Sequence, residues 1–279
     1  MLCIKRIGKG EKQRMFQKKT PYQKEWEKFI KKENKYLEKQ LNKKESFLNQ
    51  KLEEKVPKKL QETLDAAFAK AFHMIFEKGT GMIEKTYNKE EIEKDYRINE
   101  LTNELKQSKK SIQAFSKKAK GSGTKNLLVS GAAGIGMGIF GIGIPDIPVF
   151  TAMILKSIYE IAMHYGYSYD TAEEQYFILL LIQGAVSHGE DMLLMDKKIN
   201  RYIESYIWVK EEPREETIQK TAGCLSKELL YMKFLQGVPI VGAIGGAYDV
   251  IYLKQINEYA NYKYQRRFLR GRQYLIEKI

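Results

Sequence analysis

Leu127–Leu155, LLVSGAAGIGMGIFGIGIPDIPVFTAMIL, is the stretch around which the 279-residue chain is organised. It carries no charge before Asp146, and glycine stands at 131, 134, 136, 138, 141 and 143. Glycine inside a helix costs roughly 0.5–1 kcal/mol against alanine, so six in so short a run need a reason other than helix propensity. One reason is close approach of two helix backbones, as in small-xxx-small packing; a buried turn is another. Asp146, between Pro145 and Pro148, stands where a carboxylate would accept the free N–H groups of a helix start. The uncharged run from Leu127 to Pro145 has the length of a membrane span. Its glycines dilute its hydrophobicity, however, and its end carries an acid. Burial, or reversible insertion of a shallow hairpin, is therefore expected in preference to a permanent span.

A second stretch has the same layout. Val238–Leu253, VPIVGAIGGAYDVIYL, is apolar, holds Gly242, Gly245 and Gly246, and bears the single acid Asp249. Small residues on both sides favour packing of the two stretches against each other, which would bring Asp146 near Asp249.

Elsewhere apolar residues recur every three or four positions, and strand-like alternation is hard to find. The fold class is all-α: one multi-helix domain over 21–279, behind a basic leader at 1–20. Tyr22, Trp26, Phe29, Ile30, Leu37, Leu41, Leu48 and Leu52 form one stripe. Pro57 suits the first turn of a helix carrying Leu60, Leu64, Phe68, Phe72, Ile75 and Phe76, which is expected to stop near Gly79-Thr80-Gly81. A third helix over 88–118 carries Ile92, Ile98, Leu101, Leu105, Ile112 and Phe115. Gly121-Ser122-Gly123 reads as a break, giving a sub-boundary at 119–126. After it come a helix from Val149 closed at Gly166, one opened by a capping box at Asp170-x-x-Glu173, one to about Lys210, one from Pro213 to Leu235, and a basic final helix.

Charge is uneven: the net charge of +13 divides into +14 over 1–125, −6 over 126–262 and +5 over 263–279. A basic amphipathic chain suggests an anionic partner, and Arg266, Arg267, Arg270 and Arg272 are the candidates for anionic surface contact. A Lys-rich helix is equally often just a solvated face. Cys3 and Cys224 fit no metal or disulfide framework and point to a reducing compartment. The first residues lack the apolar core of a signal peptide, so a cytoplasmic location is expected.

FGIGIPDIPVF, then IYEIAMHYGYS, then VPIVGAIGGAYDVIYL, in that order, resemble the EcsC family, with the helix around Tyr22 and Trp26 similar to the start of that family's domain. Asp249 departs from the family's more usual Asn. The resemblance implies a setting beside a bacterial ABC-type transporter, with no catalytic residues to carry over.

The residues support little reaction chemistry. The histidines are His73, His164 and His188; Glu160 and His164 share a helix face, and His188 adjoins Glu190 and Asp191. No His-Glu-x-x-His, Glu-x-x-His or paired-cysteine pattern occurs, nor a Gly-x-Ser-x-Gly elbow. Gly136-x-Gly138-x-x-Gly141 matches a dinucleotide string without the surrounding βαβ unit. The expectation is a non-catalytic accessory or interaction protein, without cofactor or metal, peripherally bound at the inner face of the cell membrane through an anionic membrane surface or a membrane protein complex such as an ABC transporter. Its membrane or helix-packing residues are Gly134, Gly138, Gly141, Gly143, Pro145, Asp146, Pro148, Gly242, Gly245, Gly246 and Asp249. A lipid-acting or metal-dependent enzyme using carboxylates with His164 or His188 is the alternative. Nucleic-acid binding ranks last, and no nucleic-acid partner is expected.

Overall fold

Tyr176 to Val186, YFILLLIQGAV, is apolar all round, and a helix of that kind must be covered on every side. In the computed structural model, which describes residues 19–41, 58–137, 146–205, 212–236 and 245–277, it is the central rod of the protein. Every residue from Glu174 to Val186 is buried. The described elements are α1 (Pro21–Leu41), α2 (Lys58–Met74), a π turn (Ile75–Gly79), α3 (Thr80–Glu84), α4 (Lys89–Lys106), α5 (Lys109–Met137), α6 (Asp146–His164), α7 (Ala172–Val186), α8 (Gly189–Glu204), α9 (Arg214–Gln236) and α10 (Gly245–Glu277). No strand occurs among the described residues.

Around α7 stand α8, α9 and α10; a second layer sets α6 against α2, α4, α5 and α10, and α1 lies across α5, α8 and α10. The core has fully buried Phe68, Phe72, Phe115, Tyr159, Phe177 and Tyr264. Each large apolar side chain removed from water is worth about 1.5–3 kcal/mol, so tertiary burial rather than helix propensity holds these elements.

Four local expectations are corrected. The helix beginning at Lys109 runs straight through Gly121-Ser122-Gly123 to Met137, so the sub-boundary at 119–126 is not a break in the helix. The break in that region lies earlier: Gln107 takes a left-handed φ of 39° and ends α4. The helix expected to stop near Gly79 passes through its π turn into α3, with the Thr80 hydroxyl donating to the Ile75 carbonyl at 3.1 Å. The cap of α7 is Thr171, whose Oγ1 accepts from the Glu174 N–H at 3.2 Å, one residue beyond the expected capping box. α8 ends at Glu204, short of Lys210. Gly166, with φ of +81°, closes α6 as expected of a left-handed terminus.

α4 also faces differently from its pattern. Ile92 is buried, but Ile98, Leu101 and Leu105 are exposed, and the helix turns Asn103 inward. Asn103 donates to the Tyr22 hydroxyl and accepts from Ser111 Oγ at 3.0 Å, so the α1–α4–α5 junction is polar.

Candidate functional site

The direction of each helix follows from pairs of contacts. Phe115 meets Phe268 with ring centroids 4.5 Å apart, and Gly123 lies against Asn257, so α5 and α10 are antiparallel. Ser122 Oγ lies 2.7 Å from His164 Nε2, and the chain enters α6 directly from α5, so these two are antiparallel as well. Glu174 bonds Arg267 while Ala185 accepts from Gln255, which sets α7 antiparallel to α10. Gln183 bonds Thr221 at 2.8 Å and His188 meets Glu228 at 2.9 Å, which sets α9 parallel to α7. The C-terminal ends of α5 and α9 and the N-terminal ends of α6 and α10 therefore lie at one end of the bundle.

That end holds the glycine-rich residues. Gly134 sits in the last turns of α5, Asp146 and Pro148 open α6, and Gly245, Gly246 and Asp249 fall in the first turns of α10. Gly138, Gly141, Gly143, Pro145 and Gly242 lie outside the described residues. Val149 and Ile251, in the first turns of α6 and α10, are exposed at 45% and 53%. The connections between these helices are residues 138–145, GIFGIGIP, and 237–244, GVPIVGAI. Neither contains a charged residue.

The terminal arginines are placed elsewhere and have intramolecular partners. Arg267 forks onto both Glu174 oxygens at 2.7 and 2.9 Å and lies 4.0 Å from the centre of the Tyr167 ring. Arg266 bonds Glu33 at 2.8 Å and Glu204 at 3.3 Å, and Arg272 bonds Glu100. Their side chains are 12%, 13% and 24% exposed in the order 267, 266, 272. Arg270 is half-buried. Arg266, Arg267 and Arg272 therefore tie α10 to α1, α4, α7 and α8, a role that sequence spacing could not disclose because the partners lie 62 to 233 positions away. Beside them Lys263 is wholly buried between Glu33 at 2.7 Å and Asp196 at 2.6 Å, with Tyr259 donating to the same Asp196 at 3.0 Å.

The model of the EcsC protein family matches residues 22–269, spanning both glycine-rich segments and the ion pairs of α1 with α10. The chain belongs to the EcsC protein family. No curated protein and no solved structure matches it.

In this EcsC chain the histidines are dispersed. His73 Nε2 meets Glu215 at 2.9 Å across α2 and α9, beside an open groove of about 530 Å³ lined by Glu62, Asp65, Lys70 and Gln219 among others. His188 faces Glu228, which also accepts from Tyr252. Glu160 lies 3.8 Å from Lys156, and His164 faces Ser122. No group of three or more metal-ligating side chains occurs among the described residues. Among them, too, no helix is long and apolar enough to cross a membrane. Sequence reasoning passed over Ser122, which it took for part of a break, and Asn103, Asp196 and Lys263, whose burial no periodicity signals.

Proposed function

We propose that this protein is a membrane-associated interaction module that engages its target through the glycine-rich end of the bundle. The observation that carries this reading is the convergence of four helix ends whose two connections are uncharged, next to exposed Val149 and Ile251. Exposed apolar side chains such as Val149 and Ile251 gain about 25 cal/mol per Å² when removed from water, and a bilayer interface or a membrane protein removes them. The internal partners of Arg266, Arg267 and Arg272 favour apolar insertion over attraction between the last helix and anionic headgroups. Placement at the inner face of the cell membrane, beside an ABC-type transporter complex, completes the proposal and rests on the family resemblance. The role is an accessory one, without catalysis by the glycine-rich end.

Flotation of the purified protein with neutral and anionic liposomes, at low and high salt, tests it. Salt-resistant flotation with both liposome types is expected, and Phe140→Asp together with Val241→Asp should abolish it while leaving the helical circular dichroism intact. Absence of flotation under every condition would overturn direct bilayer contact. Flotation that salt removes would assign the contact to the basic residues instead.

A further inference from the structure

The second half of α4 turns an apolar row toward water. Ile98, Leu101 and Leu105 are 52%, 58% and 76% exposed, and their spacing of three and four places them on one face of the helix. Leu194 on α8 and Met74 on α2, also exposed, stand singly on their helices. A lone exposed apolar side chain needs no explanation, whereas a contiguous row marks a contact surface.

The charges beside the row have a definite layout. Arg97 and Glu104 are both exposed and lie seven residues apart, so they share one flank of the row. The ion pairs of α4 are made by Lys89, Asp95 and Glu100, and among the described residues neither Arg97 nor Glu104 has one. Lys94, one turn before Ile98, extends the row with its aliphatic stem. α4 holds four Lys or Arg and six Asp or Glu in a chain of net charge +13, so two copies approach through it without the repulsion of basic surfaces.

We propose that this face binds the same face of a second copy of the chain, the two α4 helices running antiparallel about a two-fold axis. In an antiparallel pair the same flanks of both helices adjoin. Arg97 of one copy then lies against Glu104 of the other, twice by symmetry. The same register sets Ile98 against Leu101 of the second copy, and Leu105 against the stem of its Lys94. A parallel pair would instead bring Arg97 to Thr102 and run Glu104 past the end of α4. The face is its own complement, and that selects a second copy as the occupant. Asp95 meets Lys118 and Asn103 meets Ser111, so α4 runs antiparallel to α5 with its C-terminal end away from the glycine-rich end. The pair therefore directs its two glycine-rich ends to opposite poles and covers neither. This inference does not rest on the membrane reading. One helix face is small against the roughly 800 Å² per partner of a standard interface, so association in the micromolar range is expected.

Sedimentation equilibrium of the full chain without lipid, from micromolar to submillimolar concentration, tests it. The mass should rise with concentration from 32.5 kDa toward twice that value. Leu101→Glu should weaken the dimer at least ~100-fold while leaving the urea midpoint unchanged, because the side chain it replaces is already largely in water. Arg97→Glu and Glu104→Arg each set like charges together twice and should each weaken it about tenfold, and the two combined should restore it. A monomer at every concentration, a dimer indifferent to Leu101→Glu, or a combined variant no tighter than the single ones would each overturn the proposal. So would a lower urea midpoint in Leu101→Glu with no change of mass, which would mean that the chain covers the row itself.

Discussion

Replacing Lys263 with methionine should cost this protein a large fraction of its stability. The side chain is 0% exposed and its ammonium touches Glu33, Asp196 and Asn200 Oδ1 at 2.7, 2.6 and 2.9 Å. Methionine preserves most of the stem's volume, so the packing loss is small and the electrostatic loss dominates. After the change Glu33 still holds Arg266 at 2.8 Å. Asp196 keeps only neutral donors, the Tyr259 hydroxyl at 3.0 Å and the Asn200 amide at 2.8 Å. A buried carboxylate stripped of its cation costs about 3–5 kcal/mol, which outweighs any gain from burying methionine. Urea unfolding followed by helical circular dichroism should show the midpoint falling by about 1–2 M. Adding Asp196→Asn to Lys263→Met removes the stranded charge and should restore roughly half of the loss, so the two changes are strongly non-additive. A loss below about 1 kcal/mol for Lys263→Met, or a double variant that simply sums the two single losses, would refute the reasoning.

Three further outcomes are expected. Gly184→Ala would place a Cβ 2.8 Å from the Tyr259 ring and 3.0 Å from Ile199, and the ring is pinned by Asp196, so overpacking of about 1–3 kcal/mol exceeds the roughly 1 kcal/mol gained in helix propensity; Gly223→Ala, with nothing within 4 Å, should instead raise the melting temperature. For His164 the folded value of about 4 lies below the ordinary 6.5, so the unfolded chain binds the proton first. Stability from this group is complete above pH 6.5 and is lost as pH falls toward 4, by about 3 kcal/mol; urea midpoints between pH 7 and 4 should show that slope, flattened in His164→Gln. Thr171→Ala removes the cap of α7 and should cost about 1 kcal/mol by the same unfolding assay, with Thr171→Ser nearly neutral.

The glycine-rich end shows how much of a site can be read before the fold is known. Its composition and the repeat of its layout in two distant stretches are visible in one dimension, because unusual glycine content and missing charge need no partner to be noticed. Their arrival at the same pole needed the directions of α5, α6, α9 and α10, which the contacts of Phe115, Gln183, Glu174 and Ala185 supply. The terminal arginines show the opposite case. A row of four cations on a helix has the same pattern whether it faces headgroups or carboxylates, and the carboxylates of Glu33, Glu100, Glu174 and Glu204 decided it for three of them.

Period and composition by themselves determined the all-α class and the existence of the helix that carries Tyr176 to Ala185, because a helix's apolar content and its period are local properties of the chain. The tertiary structure decided where a local signal was outweighed by a distant one. Gly121-Ser122-Gly123 reads as a break from propensity alone, yet the helix continues, with Gly123 packed on Asn257 of α10 and Ser122 bonded to His164 of α6. Ile98, Leu101 and Leu105 read as a core stripe, yet they are exposed because the Asn103 side of α4 bonds Tyr22 and Ser111. In both places the free energy resides in contacts between residues far apart in the chain, which no window of neighbouring residues contains.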